Sequence, residues 1–259
     1  MAGTSKTKKS QSSSRKNRNH ETTELKGKVV LVTGGSRGLG KAIAEALTAG
    51  GCEVVITGRD ERALAESSAA ITRGGGTVFA RHCDVRSPES VATLATAIRK
   101  QFGRIDILVN NAGIAHALAN VDQLPVEAWR EVIDTNLTGL FLVTRAALPL
   151  MHPGSTIINN LSISAKAVFP GMAAYNASKH GALGFTDTLR EELRPRGIRV
   201  IALLPGATDT EIWRQFWPEA PREKMMSPQS VADAVVAALR LPGNATVSQI
   251  EITPTGGAL

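Results

Sequence analysis

Lys28-Val29-Val30-Leu31-Val32-Thr33-Gly34-Gly35-Ser36-Arg37-Gly38-Leu39-Gly40 decides the architecture. Residues 28–33 are a short aliphatic, β-branched run and read as a strand. Behind the glycines, Gly38–Ala49 places Ile43, Ala46 and Leu47 on one side of a helix. The same rhythm then continues outward. Strands are predicted over residues 53–57, Thr77–His82, 105–110, 155–161, 198–204 and 246–252. Helices are predicted over residues 61–72, over Pro88–Phe102 with Ser87 as N-cap, and over 126–151, Ala173–Leu193 and Pro228–Leu239. Residues 209–226 are irregular. Residues 105–110 are nearly all apolar, as a strand covered on both faces requires. Strands alternating with helices of about ten or more residues predict an α/β fold, a doubly wound parallel sheet in a single domain over residues 25–259. Ligands on such sheets bind at the carboxyl ends of the strands.

Composition narrows the class. The 259 residues are 42% apolar and 20% charged, enough apolar material for a core and too much for a disordered chain. The longest stretch without Asp, Glu, Lys or Arg, residues 146–165, contains Pro149, Pro153 and Gly154, so no membrane-spanning helix is expected. Two cysteines, Cys52 and Cys83, exclude a disulfide framework and suit a reducing, cytoplasmic setting. Five scattered histidines offer no metal-ligand spacing, so no metal is expected. The net charge of +7 is concentrated at one end: residues 1–24 hold six basic residues against Glu21 and Glu24. That Ser/Lys-rich tail has almost nothing to bury and is predicted to be disordered, with no nucleic-acid role.

The glycine turn permits a tight reversal, lets backbone N–H groups approach a pyrophosphate, and opens a helix whose N-terminus favours anions. Its spacing, Gly-x-x-x-Gly-x-Gly, resembles that of the short-chain dehydrogenase/reductase family, a Rossmann-like fold. Further matches follow in order: Cys83-Asp84-Val85, Asn110-Asn111-Ala112-Gly113, Asn136, Ser162, Tyr175-Asn176-Ala177-Ser178-Lys179, and Pro205 through Thr210. The resemblance implies a dinucleotide held by Gly34, Ser36, Arg37, Gly38, Leu39, Gly40, Arg59, Asp84, Val85, Asn110, Ala112, Gly113, Tyr175, Lys179, Pro205, Gly206, Thr208 and Thr210. It implies a catalytic set of Asn136, Ser162, Tyr175 and Lys179.

The residues themselves permit that chemistry. Tyr175 and Lys179 are four apart on a predicted helix and share a face. An ammonium about 4 Å from the phenol, at an effective dielectric of about 20, would lower its pKa by about three units, from about 10 towards 7. Ser162 ends a strand and can donate to an oxygen on which charge develops; Ser164, two residues on, is the competing hydroxyl. Asn136 sits in an otherwise apolar helix. It can cap a helix join and, as the family implies, also anchor a water relay from Lys179.

The implied activity is hydride transfer between a nicotinamide and a carbonyl or secondary alcohol, with Tyr175 as general acid/base. A non-catalytic dinucleotide sensor or scaffold is the alternative. NADP(H) is expected rather than NAD: Gly58 stands where NAD-preferring members carry a carboxylate, and Arg59 and Arg37 can grip a 2′-phosphate. Residues 208–226, with Trp213, Phe216 and Trp217, suggest an apolar substrate pocket or, equally, a subunit interface. Arg214, Arg222 and Lys224 could receive an anionic carrier. The family implies a homodimer or homotetramer through the two long helices.

Overall fold

Val29–Val32, strand β1, is buried along its whole length, so it must have a strand on each edge and a layer on each face. Both requirements are met in the computed structural model, which describes Met1, Gly3 and residues 23–257. Most of the predicted disordered tail lies outside the described residues. Thr23, which the sequence reading assigned to it, bonds to Arg240 and Leu241, so the ordered chain begins before Leu25.

Beside β1 lie β2 (Glu53–Gly58), β3 (Thr77–His82), β4 (Ile107–Asn110), β5 (Thr156–Asn160), β6 (Arg199–Pro205) and β7 (Gln249–Ile252). They form one parallel sheet in the order β3-β2-β1-β4-β5-β6-β7. The helices are α1 (Gly38–Ala49), α2 (Glu61–Arg73), α3 (Pro88–Phe102), α4 (Val126–Ile133), α5 (Gly139–Ala147), α6 (Ala173–Leu193), α7 (Trp213–Phe216) and α8 (Pro228–Leu239). Successive strand residues face opposite layers. Val30 and Val32 therefore meet Ile43 of α1, Ile71 of α2 and Val235 of α8, while Leu31 faces Leu94 of α3, Val143 of α5 and Leu189 of α6. The order reverses between β1 and β4, and the crevice above that point is where a doubly wound sheet holds its ligand.

Two departures from the predicted elements have clear causes. Residues 105 and 106 precede β4 because the buried Asp106 carboxylate accepts from the Val29 amide at 2.8 Å and from Arg104 at 3.0 Å, with Lys28 and His152 also in contact. This cluster ties β1 to β4 at the end of the sheet away from the glycine turn. The single helix predicted over 126–151 is broken: a π-helical turn at Asp134–Thr138 separates α4 from α5. Asn136, at its centre, reaches out to pair with Ile114. Wider turns of this kind accommodate one extra residue and recur at functional sites.

The glycine turn is tightly determined. Gly34 and Gly38 have φ of 65° and 53°, a region that disfavours side chains. A Cβ on Gly40 would collide with the Asn111 amide nitrogen and the Gly34 carbonyl oxygen. Gly40→Ala is expected to destabilise by about 3 kcal/mol, the upper end of overpacking. For a chain of this length that lowers Tm by roughly 6–12 °C. Calorimetry reads this directly, and an unchanged Tm would contradict the packing described.

Candidate active site

The carboxyl ends of the strands enclose a cleft of ≈ 1020 Å³, at the upper end of small-molecule sites. One end is formed by the glycine turn, with Gly34, Ser36, Arg37, Gly38 and Leu39, and by Gly58, Arg59 and Val85 from the next two strands. Its middle is formed by Ala112 and Gly113 after β4 and by Pro205, Gly206, Thr208 and Thr210 after β6. The far end holds Ser162, Tyr175 and Lys179.

Lys179 and Tyr175 emerge from the first turns of α6, with the ammonium 5.4 Å from the centre of the ring. Lys179 donates to the backbone carbonyl of Asn160 at 3.2 Å. Ser162 follows β5 and lines the same end of the cleft as Tyr175; its hydroxyl donates to Ser164 Oγ at 3.2 Å and accepts from the Ser164 amide at 3.1 Å. Ser164 thus buttresses Ser162 from behind. Asn136 is buried under the same corner. It clamps both backbone groups of Ile114 at 2.9 Å and donates to Ser178 Oγ, which in turn donates to the Tyr175 carbonyl. A Cβ on Gly113 would stand 3.3 Å from Asn136 Oδ1 and 3.7 Å from Lys179 Nζ, so the glycine borders both groups.

Residues 28–221 match the sequence profile of the short chain dehydrogenase family. A relative named 3beta-hydroxysteroid dehydrogenase 1, from Eggerthella lenta, is 44% identical over 194 residues, 73% of this chain and 74% of its own. A short chain dehydrogenase from Burkholderia cenocepacia, solved in complex with NADP, is 32% identical with TM-score 0.82, covering 91% of this chain and 99% of that one. A 3-ketoacyl-(acyl-carrier-protein) reductase from Brucella melitensis, solved with NADH, is 31% identical with TM-score 0.80, over 89% and 98% of the two chains.

The chain belongs to the short-chain dehydrogenase family.

Four residues that the family resemblance put forward do not line the cleft. Asn110 is buried and donates to Thr144 and Asn159 beneath it. The Asp84 carboxylate is held by the Arg86 guanidinium, the nearest approach 2.7 Å, which keeps it below the usual carboxylate range. Gly40 is packed behind the turn, and the Asn136 side chain is occupied as described, as a clamp on Ile114. Conversely, the sequence reading passed over Asn111, Asn160 and Gln215. Asn111 ties the glycine turn to β4, and Asn160 carries the carbonyl that receives Lys179. Gln215, on the lid segment, accepts from the Ala115 amide at 2.8 Å. A polar residue closing an apolar strand was the available signal for Asn160.

Residues 209–226 form that lid. Trp213 stacks on Phe216 at 4.8 Å and donates to the Thr208 carbonyl at 2.8 Å, and Arg222 is bound to Asp209 and to the Thr210 carbonyl. Ile212 and Phe216 reach Tyr175, together with Phe169, Met172 and Ala115. Among the described residues no helix is long and apolar enough to cross a membrane.

The cleft fits a dinucleotide. Open glycine backbone meets the N-terminus of α1, whose first turn carries no acidic residue, and two arginines stand at the mouth.

One electrostatic expectation is overturned. The phenol does not fall towards 7: burial pushes Tyr175 up to about 12, with the Ser162 hydrogen bond acting the other way. Lys179 drops to about 8, again by burial. Desolvation of each group outweighs their mutual effect at 5.4 Å. The site thus holds a neutral phenol beside an ammonium that gives up its proton readily.

This has a measurable consequence. Below pH of about 8, both folded and unfolded chains carry a protonated Lys179, and burying the charge costs about 3 kcal/mol. Between about 8 and the ordinary 10.5 the folded state loses the proton first, so this penalty shrinks as pH rises. Lys179→Met is therefore expected to be more stable than the parent at pH 7, by up to about 3 kcal/mol. The advantage should fade by about pH 10.5, and parallel denaturant titrations at pH 7 and 10 will read it.

Proposed function

We propose that this chain is an NADP(H)-dependent oxidoreductase that interconverts a carbonyl and a secondary alcohol on a small molecule with an apolar portion. The observation that carries the reading is the meeting of Ser162, Tyr175 and Lys179 at one end of a cleft whose other end is a glycine cradle. A bound nicotinamide cofactor supplies or receives the hydride. Ser162 directs its hydroxyl at the substrate oxygen, and Tyr175 holds the proton which that oxygen takes up as it becomes an alcohol. Lys179 offers a positive charge beside the phenolate left behind and a hydrogen-bond donor for cofactor hydroxyls. Ala115, Phe169, Met172, Ile212 and Phe216 exclude water from the reacting oxygen and favour an apolar substrate body.

Charge at the cleft mouth supports NADP(H). Gly58 presents no carboxylate, and Asp60 is engaged, capping α2 through the Ala63 amide and pairing with Arg37 at 3.6 Å. Arg59 is held only loosely, 3.8 Å from Glu131, and both guanidiniums are exposed enough to turn onto a 2′-phosphate. Cytoplasmic residence accords with two buried free thiols. Exposed Trp129 on α4 and Phe141 on α5 support pairing of two copies through α4, α5 and α6.

Tyr175→Phe keeps the ring and removes the proton. Turnover of NADPH with a panel of apolar ketones is expected to fall at least a hundredfold, with NADPH binding by fluorescence nearly unchanged. Substantial residual activity would defeat the assignment. Tight NADPH binding without turnover of any ketone by the parent enzyme would favour the sensor reading. NADPH should exceed NADH at least tenfold in kcat/KM, about 1.4 kcal/mol, and Gly58→Asp with Arg59→Ala should invert the order; equal use of both by the parent would overturn the preference. Sedimentation at micromolar concentration should show a dimer or tetramer, against which a clean monomer would count.

A further inference from the structure

Asn159 and Asn160 end β5 side by side, and successive strand residues face opposite sides. Asn159 is sewn into the core: it accepts from Asn110 at 2.9 Å and donates to Thr186 at 2.9 Å. Asn160 does something else. Its side-chain nitrogen donates to Asn111 Oδ1 at 2.8 Å. The direction is forced, because the Asn111 nitrogen is already spent on the Thr33 and Gly34 carbonyls at 2.9 and 3.1 Å. The backbone carbonyl of Asn160 then receives Lys179 Nζ at 3.2 Å. A continuous path therefore runs from the Gly34 carbonyl through Asn111 and Asn160 to the Lys179 ammonium, and each link is a donor meeting an acceptor.

That path matters because, among the described residues, Lys179 pairs with no carboxylate. Its hydrogen bond goes to one backbone carbonyl at the end of β5, where Asn160 is registered with Leu203 of β6 and the next amide, of Leu161, donates to the Leu203 carbonyl at 2.8 Å. The Asn160 side chain adds a hold from the other edge, on Asn111 after β4. Its own Oδ1 takes no hydrogen bond from the described residues, so the bond its nitrogen makes is the one by which the side chain is tied to the frame.

We propose that Asn160 is a positioning residue for Lys179: its amide, gripped by Asn111 on the glycine turn, fixes the carbonyl that seats the ammonium. The cradle for the cofactor's phosphates and the catalytic lysine thereby share one hydrogen-bonded frame. The inference rests on the role given to Lys179 in the proposed function.

The test is a double-mutant cycle on the full-length chain, read by NADPH fluorescence titration. Asn160→Leu keeps the branched heavy-atom shape and removes the amide; where it does not yield folded protein, Asn160→Ala takes its place. Alone, the substitution is expected to weaken NADPH binding about tenfold. In a Lys179→Met background it should weaken binding less than twofold, because the group it positions is gone. A ratio of at least fivefold between the two backgrounds supports the proposal. A smaller ratio, whether from additive losses or from no loss at all, overturns it.

A second readout needs no cofactor. The Lys179 ammonium is followed by NMR of 13C-lysine-labelled protein against pH, assigned by the signal that Lys179→Met removes. Losing its fixed acceptor should lower the Lys179 midpoint by about one unit in Asn160→Leu, and an unchanged midpoint overturns the proposal. If Lys179→Met itself leaves NADPH binding and turnover intact, the catalytic role of Lys179 fails, while the NMR midpoint still decides whether Asn160 positions it.

Discussion

The Asn111 amide spans the gap at which the sheet reverses its winding. Its nitrogen binds two carbonyls of the glycine turn, its backbone amide donates to Thr33 Oγ1 at 2.9 Å, and the next amide, of Ala112, meets the same hydroxyl at 3.0 Å. Without that side chain, two carbonyls at the mouth of a buried crevice would need other partners, at about 1–3 kcal/mol for each left unpaired. The clamp also dictates sequence at a distance. The amide nitrogen occupies the space a Cβ on Gly40 would need, so the third glycine of the motif answers to the neighbouring strand as well as to the ligand. The shape of the cradle is set jointly by β1 and β4.

The corner where Tyr175 and Lys179 meet runs against stability. A lysine and a tyrosine are both taken out of water at the start of α6, and the lysine is held without a carboxylate. A carboxylate partner would ease the burial of the ammonium, but it would also pin the positive charge and cancel its field at the phenol. A backbone carbonyl is a compromise: it receives the ammonium without neutralising it. Asp106 gathers Lys28, Arg104 and His152 at the opposite end of the sheet, and burial of its carboxyl is outweighed by the Val29 amide and the Arg104 guanidinium.

Much of this was legible in the sequence, for identifiable reasons. Helices α1, α3, α6 and α8 fall at their predicted residues because their ends are written in local chemistry: glycines before α1, Ser87 with Pro88 at α3, Ser227 with Pro228 at α8. The Tyr175–Lys179 pair was readable because four residues on a helix is a fixed geometry. What escaped depends on partners far along the chain. The π turn at Asn136 exists because Ile114, 22 residues away, offers both of its backbone groups. Asn110 reads like its neighbour Asn111, yet one points under the sheet and the other over it, a consequence of strand alternation and register that four letters do not display. The pairing of charges over distance misled in the same way: the helix spacing was right, but burial of both groups decided their proton affinities.

Tyr175 owes its neutrality to segments that have no covalent proximity to it. Ala115 follows β4, Phe169 and Met172 precede α6, and Ile212 and Phe216 ride on the lid, which Gln215 fastens to the Ala115 amide. Removing any of these layers would readmit water and let the phenol relax towards its ordinary value near 10. The segment that carries Ile212 and Phe216 is thus part of what keeps the Tyr175 phenol protonated, through the exclusion of water from the end of the cleft where α6 begins.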